Sequence, residues 1–210
     1  MGMKKLLFFL IATVCANVLM SQELQDYYCN ETVSGNKYMY TVKKDRSGKE
    51  FTLKNVNNVE YVAINGQQRH ITTEFVSLLK LNDPNVVIEA IEAVFSKEEI
   101  LEMAKACIEF KRKNYNGNSK YSYFYGFCPD VDKDGKIVNL RIEFYGSNTM
   151  KNVPPQKIEQ LEDYIKEHAV YTVKDKERVA RLQIIGAQPI EVDVNNTDYS
   201  FELMYDTKKY

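Results

Sequence analysis

YSYFYGFCPDVDKDGKIVNLRIEFY (Tyr121–Tyr145), followed after a short connection by PPQKIEQLEDYIKEH (Pro154–His168), is the stretch on which the fold turns. Its first part places Tyr121, Tyr123, Tyr125 and Phe127 at alternate positions. Its second alternates Val138, Leu140, Ile142 and Phe144 with Asn139, Arg141, Glu143 and Tyr145. A period of two belongs to a strand, whose successive side chains leave opposite faces. Asp134-Gly135-Lys136 supplies turn residues between the two runs, so they read as a hairpin. The period then changes. Pro154-Pro155 opens a helix with Ile158, Leu161, Tyr164 and Ile165 on one stripe and Lys157, Glu159, Glu162, Asp163 and Lys166 away from it. The stripe is expected to rest on the sheet and the charged residues to face water.

Downstream, Ala180, Leu182 and Ile184 read as one strand, Tyr199, Phe201, Leu203 and Tyr205 as another, and Pro189 to Val194 as a short edge strand between them. Upstream, the runs Lys37 to Val42 and Phe51 to Leu53 flank a loop containing Gly48 and predict a hairpin. A strand from Val59 to Ile64 enters Asn65-Gly66, a strong two-residue hairpin signal, and a return strand is expected from about His70 to Leu78. Asp83-Pro84 then reads as a helix cap and first turn, with Val87, Ile88, Ile91, Val94 and Phe95 at helical spacing. Ser96-Lys97-Glu98-Glu99 is a capping box opening a second helix. Ile100, Met103, Ala104, Cys107 and Ile108 form its stripe, Lys111-Arg112-Lys113 suit its negative end, and Asn116-Gly117 stops it.

Strands, two helices, a hairpin, a helix and more strands imply an α+β fold: antiparallel sheet or sheets with helices on one face, arranged as two ββα-type units. The expected division is 1–21, 22–117 and 118–210, the last two either separate or one continuous domain. The hairpin from Tyr121 to Phe144 turning at Asp134-Gly135-Lys136, with the helix Gln156 to His168 and a returning strand, resembles the C-terminal domain of TonB-type energy transducers. The whole chain also resembles secreted Bacteroidetes proteins of about this size. The TonB resemblance implies a protein partner whose peptide adds to a sheet edge, and it carries over no functional residue.

The N-terminus bounds the compartment. Lys4-Lys5 precedes an apolar run from Leu6 to Val14 and a small-residue exit at Met20-Ser21-Gln22, the layout of a cleavable signal peptide spanning 1–21. The apolar run is shorter than the roughly 20 residues a bilayer needs, so no transmembrane segment is expected after cleavage. Acylation at Cys15 is the rival reading, but Val14 stands where a small residue belongs. The expected location is therefore the periplasm or the exterior of a Gram-negative cell. A formal net charge of −1 removes the basic surplus that phosphate binding needs, so nucleic acid is not an expected partner. Of the cysteines left after cleavage, Cys29, Cys107 and Cys128 lack the close spacing of a metal or redox motif. One disulfide or three buried thiols are open, and buried thiols are preferred.

Candidate chemistry is sparse. Asp130-Val131-Asp132-Lys133-Asp134-Gly135 matches the start of a calcium loop, but Arg141 occupies the position that needs a bidentate acid. Asp130, Asp132 and Asp134 are therefore expected to form a solvated turn rather than a metal site. Tyr121, Tyr123 and Tyr125 are candidate ligand-binding residues as a sugar-stacking row, with core packing preferred. His70 and His168 sit in no catalytic motif and are read as structural. No catalytic residue and no cofactor is expected. The expected function is a non-catalytic binding protein for an envelope protein or glycan, with a hydrolase of envelope or dietary polymers as the alternative.

Overall fold

The computed structural model describes residues 32–71, 76–114 and 123–193. In chain order these form strands β1 (Thr32–Ser34), β2 (Met39–Lys44), β3 (Glu50–Asn55), β4 (Tyr61–Ile64), β5 (Gln67–His70) and, after a 3-10 turn at Val76–Leu78, β6 (Leu79–Leu81). Helices α1 (Val86–Val94) and α2 (Lys97–Asn114) follow, then β7 (Tyr123–Asp132), β8 (Ile137–Tyr145) and a 3-10 turn at Ser147–Met150. Helix α3 (Pro155–His168), β9 (Tyr171–Val173), α4 (Lys176–Leu182), β10 (Ile184–Gly186) and β11 (Ile190–Asp193) complete the described chain. The fold is α+β, as the pattern implied.

The main sheet runs β1-β2-β3-β8-β7, and β10 and β11 both pair with the far edge of β7. All of these pairings are antiparallel. Pairing of β3 with β8, which sets Leu53 beside Ile142 and Lys54 beside Arg141, joins strands from both halves of the chain. Tyr40, Val42, Phe51, Leu53, Phe127, Leu140, Ile142 and Phe144 meet Val87, Ala90, Ile91, Ile100, Met103, Ala104, Ile158, Leu161 and Ile165 in one core, so α1, α2 and α3 share a face of the sheet. The alternate positions Lys54, Asn139, Arg141 and Glu143 look out on the opposite face. Val173, Val179 and Ile185 make a smaller cluster.

Local signals held where their chemistry is local. The Ser96 amide donates to Glu99 Oε2 at 2.8 Å and the Glu99 amide to Ser96 Oγ at 3.3 Å, the reciprocal bonds of a capping box. Asn65 and Gly66 take φ of 50° and 76°, both left-handed, as a primed hairpin turn demands. Gly135 turns β7 into β8 at φ +83°, and a Cβ there would stand 1.9 Å from the Tyr171 carbonyl oxygen. His168 Nδ1 lies 2.9 Å from the Tyr164 carbonyl at the end of α3.

Four expectations are corrected. Residues 176–182, read in part as a strand, form α4, whose first turn is capped by Asp175 Oδ1 accepting from the Arg178 amide at 2.9 Å. The strand expected from His70 to Leu78 instead ends at His70, and the chain resumes as a 3-10 turn before β6 pairs with β9. Asp83 is not the cap of α1. Asn85 is, without a side-chain cap bond, and Asp83 Oδ1 accepts from the Asn85 amide at 2.8 Å. Finally, Glu159 and Glu162 do not face water: both are buried. Glu159 Oε2 accepts from the amides of Lys37 at 2.6 Å and Tyr38 at 2.9 Å. Glu162 accepts from Tyr40 Oη at 2.9 Å, Asn55 Nδ2 at 3.3 Å and Lys166 Nζ at 2.6 Å. Burial first, and the Glu162 charge second, hold the Tyr40 hydroxyl well above its ordinary pKa. The row Tyr199 to Tyr205 and the stop at Asn116-Gly117 lie outside the described residues.

Candidate functional site

Beyond Lys54 the chain leaves β8 and turns across the outer face of the sheet. Asn58 Nδ2 donates to the Leu140 carbonyl at 2.8 Å, and Asn139 exchanges bonds with the Val59 backbone: Nδ2 to O at 2.7 Å and N to Oδ1 at 2.8 Å. This crossing, with the end of β5, walls a pocket of about 270 Å³ over the sheet. Lys54, Glu60, His70, Asp130, Asn139 and Arg141 line it.

The charges in the pocket are paired. Lys54 and Arg141 are cross-strand neighbours, a like-charge juxtaposition that costs energy unless each is balanced. Lys54 makes an ion pair with Glu60, and Arg141 Nη2 stands 3.6 Å from Asp130 Oδ1. Asp130 is 4% exposed. Its Oδ2 accepts from Asn139 Nδ2 at 2.9 Å, whereas its Oδ1 and the Nε of Arg141 are buried without a hydrogen-bond partner. Burial raises the Asp130 carboxyl pKa above its ordinary value of 3.8, against the pull of the Asn139 bond and the Arg141 charge. His70 lies against Tyr61, its partner across the β4–β5 pair, with ring centroids 4.2 Å apart and the planes tilted by 40°, and Tyr61 is 43% exposed. A second recess, of about 640 Å³, lies between β6, the start of α1 and the segment before β11.

No protein-family model matches this chain. No curated protein matches it either. Among solved structures it is similar to a DUF5043 family protein from Bacteroides uniformis, at 14% identity and a TM-score of 0.46, over 81% of this chain and 93% of that one. These comparisons do not show a TonB-type module.

The residues singled out from the sequence are dispersed. Tyr121 lies outside the described residues. Tyr123 and Tyr125 belong to β7, at whose start Tyr123 stands beside Asp193 of β11. Asp130, Asp132 and Asp134 do not converge. Asp130 is held in the pocket, Asp132 Oδ1 accepts from the amides of Asp134 at 2.9 Å and Lys136 at 3.0 Å, and Asp134 pairs with Lys133 at 2.6 Å. Among the described residues no cluster of three or more acids, histidines or cysteines could hold a metal ion. Thermal melts with and without millimolar calcium are expected to coincide. A calcium-dependent rise in Tm lost in Asp132→Ala would show a site instead. Cys107 and Cys128 are buried thiols in no disulfide, and burial pushes them up to about 11 and about 12. Neither is a poised nucleophile at neutral pH. Cys29 lies outside the described residues.

The sequence reading expected Asp130 in a solvated turn, whereas it is buried, and it read His70 as structural. It did not single out Lys54, Glu60, Asn139 or Arg141 as site residues. Their one local trace is the polar row Asn139, Arg141, Glu143 on the wet face of β8.

Proposed function

We propose that this chain is an exported, non-catalytic binding protein of the cell envelope that holds an envelope protein or a glycan at the pocket on the outer face of its sheet. The observation that supports this most is the internal pairing of the pocket's charges: Glu60 with Lys54, and Asp130 with Asn139 and Arg141. Groups fixed in this way recognise polar ligands, whereas a nucleophile needs a base within hydrogen-bond reach and free to take its proton. The signal-like N-terminus and the short apolar run support export to the periplasm or exterior. Among the described residues no helix is long and apolar enough to cross a membrane.

The hydrolase alternative draws on the same pocket, because Asp130, with its raised pKa, could serve as an acid beside Glu60. One experiment separates the two. The chain beginning at Gln22 is run in affinity electrophoresis with envelope and dietary polysaccharides and on peptide arrays, beside Arg141→Ala, while released reducing ends are assayed. Retention that Arg141→Ala weakens tenfold or more, without new reducing ends, is the expected result. Reducing ends that vanish in Asp130→Asn would establish the hydrolase. No retention on any surface would overturn the binding reading.

A further inference from the structure

We propose that the pocket takes the hydroxyl groups of a neutral sugar residue, an inference that rests on the binding reading above and names the chemistry of its ligand. Two cations and two acids line the cavity, so an ionic ligand gains no net attraction there. What the pocket lacks is hydrogen bonds. Asp130 Oδ1 needs a donor, and Arg141 Nε, on the neighbouring strand, needs an acceptor. Asn139 supplies neither: its Nδ2 protons go to the Val59 carbonyl and Asp130 Oδ2, and its Oδ1 accepts from the Val59 amide.

A hydroxyl oxygen gives one proton and accepts others at a single atom, so it can bridge the two. A carboxylate or phosphate oxygen has no proton for Oδ1, and an ammonium has no lone pair for Nε. A trans peptide unit points its N–H and C=O in opposite directions and serves only one of them. Both unfilled atoms are closed to solvent as they stand. The Arg141 side chain is 39% exposed and its guanidinium is beyond hydrogen-bond distance of Oδ1, so admitting the ligand requires this ion pair to open. His70 lines the pocket, and the exposed Tyr61 ring tilted against it offers an apolar surface for the C–H side of a pyranose. A volume of about 270 Å³ suits one small ring.

The test is a series of ¹H–¹⁵N spectra of the chain from Gln22 to Tyr210. The probes are the methyl glycosides of glucose, galactose, mannose and N-acetylglucosamine, with glucuronic acid and trialanine as the anionic and peptide probes. At least one neutral glycoside should shift the Asn139 side-chain amide and the Val59 backbone amide, with a Kd that changes less than about twofold between low and high salt. Asp130→Asn and, should that variant fold poorly, Arg141→Met should each weaken binding about tenfold or more. Lys133→Ala should leave it unchanged. Silence from every neutral glycoside, or shifts from glucuronic acid or trialanine alone, would overturn the inference. If retention in the preceding experiment is still lost in Arg141→Ala, the binding reading survives that failure.

Discussion

Glu162→Ala is expected to lower stability by about 3 kcal/mol, read as a shift of the urea midpoint at unchanged slope. The charged stripe of an amphipathic helix usually tolerates such changes within about 0.5 kcal/mol, which is the expectation for the exposed neighbour Glu167→Ala. Glu162 is different because it is 2% exposed and gathers three donors, one each from β2, β3 and its own helix. Truncation leaves the Tyr40 hydroxyl and the Asn55 amide buried without an acceptor, and strips Lys166 of its partner. Each orphaned neutral group costs about 1 to 3 kcal/mol. Lys166 retains some solvent and contributes less. Tyr40→Phe should cost about 1 kcal/mol, and a double-mutant cycle between the two should show coupling. Equal small losses from Glu162→Ala and Glu167→Ala would remove the network from the list of stabilising features.

Leu161→Asp should unfold the protein outright. Leu161 is fully buried in the main core. The substitution forfeits about 1.5 to 3 kcal/mol of burial and places a carboxylate where no cation or donor can compensate it. The combined loss exceeds about 5 kcal/mol, comparable with the net stability of an ordinary domain. Loss of the cooperative melt and rapid proteolysis at 25 °C are the expected readouts. A folded Leu161→Asp variant would mean that α3 does not dock by this stripe.

What the sequence disclosed and what it hid divide along range. Ser96 and Glu99, Asn65 and Gly66, and Asp134-Gly135-Lys136 were legible because each signal is completed within a few residues of chain. Residues 176–182 were misread because Ala180, Leu182 and Ile184 satisfy a period of two. Asp175, three residues before the amide that it caps, was the competing signal, and it was local too. Glu159 and Glu162 were illegible for another reason. A carboxylate off the apolar stripe is ordinarily solvated, and nothing near it in the chain shows that Tyr38, Tyr40 and Asn55 will close over it. The pocket is the extreme case. Lys54 meets Arg141 only through the β3–β8 register, and Asp130 meets Asn139 only across the hairpin, so its residues had no common signature.

The β3–β8 pairing also sets the order in which the molecule can assemble. The hairpin of β2 with β3 closes over a short loop and can form as soon as residue 55 is available, but the partner for the other edge of β3 lies more than eighty residues further on. Until β8 is presented, β3 displays an unpaired ladder beside Phe51 and Leu53. Closing so distant a contact costs chain entropy before any hydrogen bond repays it, which makes this a slow, late step. A nascent chain therefore passes through a stage with a sticky, half-finished edge, the stage at which a holdase chaperone would protect it and crowding would endanger it.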